Sequence, residues 1–165
     1  SAMLVGSAGF SAAGYAATAS DNMAVSTTVA MSCTISAQAL TFSAYDPTSA
    51  SNSDATANIQ SSCTAGGSVV ITMGQGGNAE ASSTDSVPVR QMIGSGGNLG
   101  YAVYTDTDRL AVWGNTEATV NAFTASGCLD PVVVYGRISC SLSVCAGSFS
   151  YLVSVPLPYR VSHAC

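Results

Sequence analysis

Short stretches of strand-forming sequence recur along the chain, and turn residues separate them. Strands are predicted at 39–45, 55–63, 68–73, 99–104, 110–113, 132–138 and 149–159. Turn residues lie between them at 46–47, 74–78, 95–98 and 114–115, and no stretch shows the convincing 3.6-residue apolar spacing of an amphipathic helix. Seven short strands without a helix predict an all-β fold, and more specifically a β-sandwich.

The chain carries little charge. Of 165 residues, 8% are charged, none is a lysine, and the net charge is -5. A surface of this kind cannot neutralise phosphates, so nucleic-acid binding is excluded. The 47% of hydrophobic residues predict a folded chain rather than a disordered one. No run approaches the roughly 20 apolar residues that a membrane-spanning helix needs, so an integral membrane protein is not expected.

The cysteine pattern indicates an oxidising compartment. The chain has six cysteines and no Cys-x-x-Cys pair, which fits disulfides better than cytosolic metal or redox chemistry. Six cysteines allow 15 pairings, so the sequence alone does not fix the connectivity.

The N-terminal part divides into two segments. Residues 1–17 hold no charge, and Gly14-Tyr15-Ala16 has the small-x-small form of a secretory cleavage site. Residues 1–20 are therefore assigned as an N-terminal extension or the remnant of a signal peptide. Every even position from 2 to 16 is small or apolar, so this segment is also compatible with one buried strand face.

A clearer alternation follows this segment. The odd positions are Met23, Val25, Thr27, Val29 and Met31, and small residues lie between them. This period of two predicts a half-buried β-strand. The strand belongs either to the domain's own sandwich or to the sandwich of another molecule, and the pattern leaves both readings open.

The last predicted strand also alternates. Its apolar positions are Val153, Val155, Leu157 and Tyr159, and they alternate with Ser154, Pro156 and Pro158. Residues of equal parity direct their backbone groups to the same side of a strand, so the two prolines remove two donors from one side. This loss suits the boundary of a sheet rather than its centre.

An ordered series of segments resembles the spore coat protein U family, which includes the subunits of archaic chaperone-usher pili. The segments are CTIS at 33–36, LTFSAYDP at 40–47, ATANIQ at 55–60 before CT at 63–64, LGYAVYTD at 99–106, VWG at 112–114, VYGRI at 134–138 and AGSFSY at 146–151. The resemblance covers about residues 20–159.

The resemblance implies an incomplete, immunoglobulin-like sandwich that lacks its final strand. In this family a periplasmic chaperone fills the open groove, and the N-terminal strand of the next subunit replaces it at an outer-membrane usher. The resemblance makes 21–32 the donor strand, with Met23, Val25, Thr27, Val29 and Met31 as its plugs, and 33–165 the pilin domain. It also implies a Cys33–Cys63 disulfide, a groove edge at 153–159, and a secreted fibre subunit at the cell surface that supports adhesion or biofilm formation.

Four cysteines and a short tail go beyond the family pattern. Cys140 and Cys145 are close enough in sequence for a local staple, which leaves Cys128 and Cys165 as candidate partners. An odd pairing instead leaves thiols for links between subunits.

Catalysis and metal binding have little support. His163 is the only histidine, and no serine stands out as a nucleophile. The carboxylates of Asp106 and Asp108 are expected to be solvated on a turn. The remaining acids and the set Cys140, Cys145, His163 and Cys165 match no common calcium or zinc spacing. We expect no enzyme activity, cofactor or metal.

Two rival functions remain open. Trp113, Tyr101, Tyr104 and Tyr135 form a stacking platform for carbohydrate if they share one surface, as in a tip adhesin, although inward packing is favoured. Alternatively, the chain is a spore or cell-surface coat protein whose own N-terminal strand closes its groove.

Overall fold

The computed structural model describes residues 18–160, so residues 1–17, His163 and Cys165 lie outside the described residues. The described range contains no helix and nine strands, which confirms the all-β prediction. The strands are β1 (Cys33–Ala37), β2 (Ser53–Cys63), β3 (Ser68–Ile71), β4 (Arg90–Gly94), β5 (Gly97–Tyr104), β6 (Asn121–Thr124), β7 (Leu129–Ile138), β8 (Phe149–Ser150) and β9 (Tyr159–Arg160).

The strands form two antiparallel sheets that pack face to face. The larger sheet has the order β1-β2-β7-β5-β4-β8, and the smaller has the order β6-β3-β9. The β2–β7 pair is the longest ladder and runs from Ser53↔Ile138 to Ser62↔Leu129. Along both strands buried residues alternate with more exposed ones, because only one face of this sheet meets the core.

The predicted strands at 55–63, 68–73, 99–104 and 132–138 correspond to β2, β3, β5 and β7. The predicted strand 110–113 is reduced to an isolated bridge between Tyr104 and Val112. Residues 39–45 belong to no strand, and the ladder of β1 lies just before them. Strands β1, β4 and β6 were not predicted, and in β4 and β6 the residues Arg90 and Asn121 break the apolar alternation. The predicted strand 149–159 is present only at its two ends, as β8 and β9.

Trp113 and Arg90 lie at the centre of the core and are 0% and 1% exposed. The Trp113 indole N–H donates to the Ile71 carbonyl at 3.0 Å. The Arg90 guanidinium donates to the carbonyls of Gly74 at 2.8 Å, Met73 at 3.0 Å and Trp113 at 2.7 Å. These bonds join the end of β3 to the segment after β5, so the smaller sheet is fixed against the larger one.

The C-terminal segment before β9 continues along β3. The N–H of Thr72 donates to Pro156 O at 3.4 Å, and the N–H of Gly74 donates to Ser154 O at 3.2 Å. The register matches that of Val69↔Tyr159 in β9. Residues 154–160 therefore form one continuous edge of the smaller sheet.

No helix in the described part of the chain is long and apolar enough to cross a membrane.

Candidate strand-binding groove

A long groove opens between one edge of each sheet. One lip is β1 with its continuation to Tyr45, of which residues 37–45 line the two cavities described next. The other lip is the C-terminal segment 151–157, of which residues 151–153 and 155 line them. The floor of its central part, a cavity of about 410 Å³, is formed by the core residues Ala57, Ile59, Met73, Val103 and Val134. A second cavity of about 620 Å³ continues the groove past Phe42 to Tyr45, Ile138 and Cys145.

The β1 lip exposes side chains that belong to the core face. Ile35 is opposite the buried Ser61, and Ala37 is opposite the buried Ile59, so both face inward. Ile35 is nevertheless 36% exposed. An inward-facing apolar residue with this exposure marks a place where the sandwich lacks a covering strand.

Leu40 and Phe42 extend this lip above β7. A methyl group added at Gly136 would meet Leu40 Cδ2 at 2.7 Å and Phe42 Cζ at 2.8 Å. Glycine in β7 thus makes room for this part of the lip. Sequence reasoning placed a strand here but did not identify the residues as a groove wall, although the alternation of Leu40 and Phe42 was a usable signal.

The C-terminal lip retains its hydrogen-bonding edge on the groove side. The carbonyls of Ser154 and Pro156 accept bonds from Gly74 and Thr72, which directly follow β3, so even-numbered residues of this lip face the smaller sheet. Val153, Val155 and Leu157 therefore direct their N–H groups toward the groove, and within residues 18–160 these groups have no acceptor. The prolines at 156 and 158 face the smaller sheet, so they remove no donor from the groove.

The side chains of this lip pack as the sequence alternation predicted. Val153, Val155 and Leu157 are half-buried against the core. The backbone of Tyr159 pairs with Val69, and its side chain lies outside the described part.

The groove carries no ionised side chain. The central cavity is lined by apolar residues together with Gln38, Tyr101 and Tyr151. Burial raises the pKa of the Tyr101 phenol, and the nearby Arg90 guanidinium offsets part of this rise. Burial lowers the pKa of Arg90 to about 10, so its charge is kept at neutral pH, behind the groove wall. The occupant that suits this lining is an uncharged, apolar strand.

The alternating N-terminal segment does not occupy the groove of its own molecule. Residues 18–30 are exposed and form no strand. Met23 and Val25 are each 87% exposed, and Val29 is 77% exposed. Thr27 is exposed as well, whereas Met31 is half-buried and contacts Gly67 of its own domain.

Within residues 18–160 one disulfide is formed, between Cys33 and Cys63. Cys140 and Cys145 are separate thiols, in contrast to the predicted staple. The reason is visible in the backbone, because Cys140 N–H donates to Asn52 Oδ1 and Cys145 N–H donates to Gly96 O. Cys128 is an exposed thiol, and its candidate partner Cys165 lies outside the described residues.

The four aromatic residues considered as a platform do not share a surface. Trp113 is buried, and Tyr101 lies in the groove. Tyr104 and Tyr135 are opposite each other on neighbouring strands of the larger sheet, where Arg109 lies 5.7 Å from the Tyr135 ring. The prediction that these aromatic residues pack inward was therefore correct only for Trp113 and Tyr101.

Two of the acidic residues, Asp106 and Asp54, have structural partners, whereas Asp108 is exposed, as expected of a solvated turn residue. Asp106 accepts backbone bonds from Leu110 and Ala111 in a turn, and the Ala111 bond is the main reason that its pKa is lowered. Asp54 accepts two bonds from Arg137, which lower its pKa. Among residues 18–160 no three histidine, cysteine or acidic side chains are grouped closely enough to hold a metal ion.

An all-β sandwich with an apolar groove between its sheets, and with an exposed segment of alternating apolar residues outside that groove, defines a class of incomplete immunoglobulin-like domains. The model of the Spore Coat Protein U domain matches residues 19–156, and the chain belongs to this family. It is 36% identical over 155 residues to Protein U of Myxococcus xanthus, and the match covers 87% of each chain.

A solved structure shows the same fold. It is the crystal structure of the CsuC–CsuE chaperone–tip adhesion subunit pre-assembly complex from the archaic chaperone-usher Csu pili of Acinetobacter baumannii. The TM-score to a chain of that complex is 0.58 at 17% identity, and the match covers 79% of this chain. The match spans 40% of the length of that solved chain.

Proposed function

We propose that this protein is a structural subunit of a secreted, cell-surface fibre of the archaic chaperone-usher type. Residues 21–31 of one copy fill the groove of the next copy and complete its sandwich. One observation carries the proposal: the chain has an open apolar groove and an exposed N-terminal segment of alternating apolar residues, and this segment lies outside the groove of its own molecule.

The energetics favour such a joint. Met23, Val25 and Val29 are exposed in the separate chain, and burial of each large side chain stabilises the complex by roughly 1.5 to 3 kcal/mol. Both lips add backbone hydrogen bonds, since the odd-numbered residues of each lip direct unpaired groups into the groove. Residues 22–30 contain no charged side chain, which matches the uncharged lining.

The root of the N-terminal segment argues against insertion into the chain's own groove. Ser32 continues the register of β1, because Thr64 N–H donates to Ser32 O at 3.0 Å and Ser32 N–H donates to Thr64 Oγ1 at 3.0 Å. Met31 then packs against Gly67. Insertion in the same molecule needs a tight reversal directly before β1, and this straight continuation does not provide one.

The proposed partners follow from the groove. An unassembled subunit exposes core side chains and an unpaired edge, which is an aggregation hazard unless another protein covers it. A periplasmic chaperone fits this need, and an outer-membrane usher then exchanges the chaperone for the next subunit. The fold shared with the chaperone–subunit complex of the Csu pili supports this route through the periplasm to the cell surface. The role is structural, with no catalytic step, and adhesion or biofilm formation is a property of the assembled fibre.

The test replaces two plugs with charge. Val25→Asp together with Val29→Asp should abolish fibres in electron micrographs and the ladder of multimers in mild detergent, because two carboxylates would enter an apolar groove. The chaperone-bound subunit should remain, since its own sandwich is unchanged.

The matched control is Ser26→Asp with Thr28→Asp. These positions have the opposite parity, so the same charge points away from the groove and the ladder should persist. Fibres from the Val25 and Val29 variant would overturn the donor assignment and leave 2–16 as the candidate donor. Wild-type protein that stays monomeric at every concentration and resists denaturant would instead indicate a self-complemented coat protein.

A further inference from the structure

Each end of the sandwich carries one exposed cysteine thiol. We name the end that holds Ser32 and the Cys33–Cys63 disulfide the root end, because the donor segment leaves the domain there. The opposite end, which holds Tyr45, Ser139 and the turn between β4 and β5, is named the far end. Cys128 lies at the root end, one residue before Leu129, which pairs with Ser62. Cys145 lies at the far end, where its backbone N–H donates a hydrogen bond to the Gly96 carbonyl in the β4–β5 turn.

Cys128 is close to the root of the donor segment. Ser32 is bonded to Thr64, and the neighbouring Ala65 lies under Gly127, whose added Cβ would be 2.8 Å from Ala65 Cβ. Gly127 has a φ of 86°, so glycine permits the turn that presents Cys128 to solvent. The donor segment of one copy and its Cys128 thus leave the same surface.

Cys145 lies where the groove opens at the far end. It lines the 620 Å³ cavity together with Tyr45 and Ile138, and it is exposed. Cys140 differs, because it is half-buried and held beside β2 by Asn52.

The direction of the inserted strand decides which ends of two neighbouring copies meet. All paired strands in the described range are antiparallel. β1 runs from the root end to the far end and the C-terminal lip runs the other way, so a strand between them is antiparallel to one lip and parallel to the other. We place the donor strand antiparallel to the C-terminal lip, because antiparallel ladders are slightly more stable and this lip offers the unpaired N–H groups of Val153, Val155 and Leu157. The Ser32 side of the donor strand then lies at the far end of the acceptor copy. The three residue steps from Val29 to Ser32 span about 10 Å, so the root end of the donor copy comes to rest on the far end of the acceptor copy.

We infer that Cys128 of the donor copy and Cys145 of the acceptor copy form a disulfide between subunits after strand insertion. This inference rests on the proposed function. The two thiols lose two protons and two electrons, and a disulfide-bearing oxidant accepts both electrons and becomes a dithiol. Each joint of the fibre is then closed twice, once by the inserted strand and once by a covalent bond.

The test distinguishes the inserted strand, which boiling in detergent removes, from the disulfide, which only a reductant breaks. Fibres are collected in the presence of a thiol-blocking agent and run on non-reducing gels. The wild-type ladder should survive boiling in detergent and collapse to the monomer with dithiothreitol. Cys128→Ser and Cys145→Ser should each lose the boiled ladder completely, while the unboiled ladder in mild detergent remains.

Cys140→Ser is the matched control and should keep the boiled ladder. Assembly of Cys128→Ser copies together with Cys145→Ser copies gives a sharper result. A covalent joint then forms only where a Cys145→Ser copy donates to a Cys128→Ser copy, so boiled covalent species should stop at dimers.

A boiled wild-type sample that contains monomers only, or a boiled ladder that persists in either single variant, would overturn the inference. Failure of the proposed function looks different, because the unboiled ladder is then absent from the wild-type protein as well.

Discussion

Arg90 shows how a single buried residue holds the groove in shape. Its guanidinium bonds three backbone carbonyls at the end of β3 and beyond β5, and no carboxylate takes part in these bonds. Gly74, one of the three residues, also donates to Ser154 in the C-terminal lip. The sequence did not predict this role, since arginine is almost never fully buried unless it is paired.

Replacement of Arg90 by methionine should destabilise the subunit by about 3 kcal/mol, because three buried carbonyls lose their donors. Arg90→Lys should recover part of the loss, since an ammonium group reaches fewer of the three carbonyls. Urea unfolding of the purified subunit measures both changes. An unchanged midpoint for Arg90→Met would show that the guanidinium does not brace β3.

At the scale of elements, the β2–β7 ladder carries an ion pair on its outer face. Asp54 accepts a bond from Arg137 Nε at 2.7 Å, and Arg109 Nε lies 3.5 Å from the same carboxylate oxygen. The Arg137 bond lowers the pKa of Asp54 below its ordinary value of 3.8. The ionised carboxylate therefore contributes stability above about pH 4, and this contribution is lost as the pH falls through the lowered folded-state pKa.

Asp54→Asn should remove part of this acid sensitivity. The Asp54 side chain is 35% exposed, so the effect at neutral pH is about 0.5 kcal/mol. Thermal unfolding between pH 6 and pH 2 should show a flatter dependence on pH for the variant. The exposed Asp108→Asn is the control, and an identical slope for wild type and Asp54→Asn would contradict the assignment.

The packing of Leu40 and Phe42 over Gly136 gives a second prediction for an element. Gly136→Ala should destabilise the chain by about 1 to 3 kcal/mol, because the methyl group displaces the side chains of the β1 lip. Gly100→Ala in β5 should have little effect, since nothing lies within 4 Å of an added Cβ there. The urea midpoints of the two variants compare them directly. Equal midpoints would show that the Leu40 and Phe42 side chains move aside with no loss of stability.

The alternation of apolar residues predicted the long strands well, because β2, β5 and β7 bury one face and leave the other in solvent. It failed at 110–113 and 39–45. There the alternation is also present, but the backbone of Val112 forms only a bridge and the 39–45 segment crosses over β7 without pairing. The side on which Pro156 and Pro158 lie depends on strand register, which parity alone does not fix.

At the scale of the whole molecule, the Cys33–Cys63 disulfide ties the first described strand to the end of β2. The two cysteines are 30 residues apart, and by the chain-entropy model such a loop stabilises the folded chain by about 3 to 4 kcal/mol. The double replacement Cys33→Ala with Cys63→Ala should lower the free energy of unfolding by this amount. Denaturant unfolding under oxidising conditions measures it, and a loss below 1 kcal/mol would show that the bond adds little to the sheet.

The remaining cysteines illustrate what a single chain does not reveal. Proximity in sequence predicted a bond between Cys140 and Cys145, but the backbone holds them at separate sites near Asn52 and Gly96. The groove itself was predicted only through the family resemblance, because a missing strand leaves no mark in the alternation of the strands around it.

The orientation of the two prolines has a consequence for when the subunit finishes folding. Pro156 and Pro158 have no N–H group to donate. The hydrogen bonds between residues 154–156 and the smaller sheet are therefore donated by Thr72 and Gly74, which follow β3. The N–H groups of residues 153, 155 and 157 point into the groove and have no acceptor within residues 18–160. Under the proposed strand exchange, this last stretch of chain completes its hydrogen bonding only when a neighbouring copy supplies a strand.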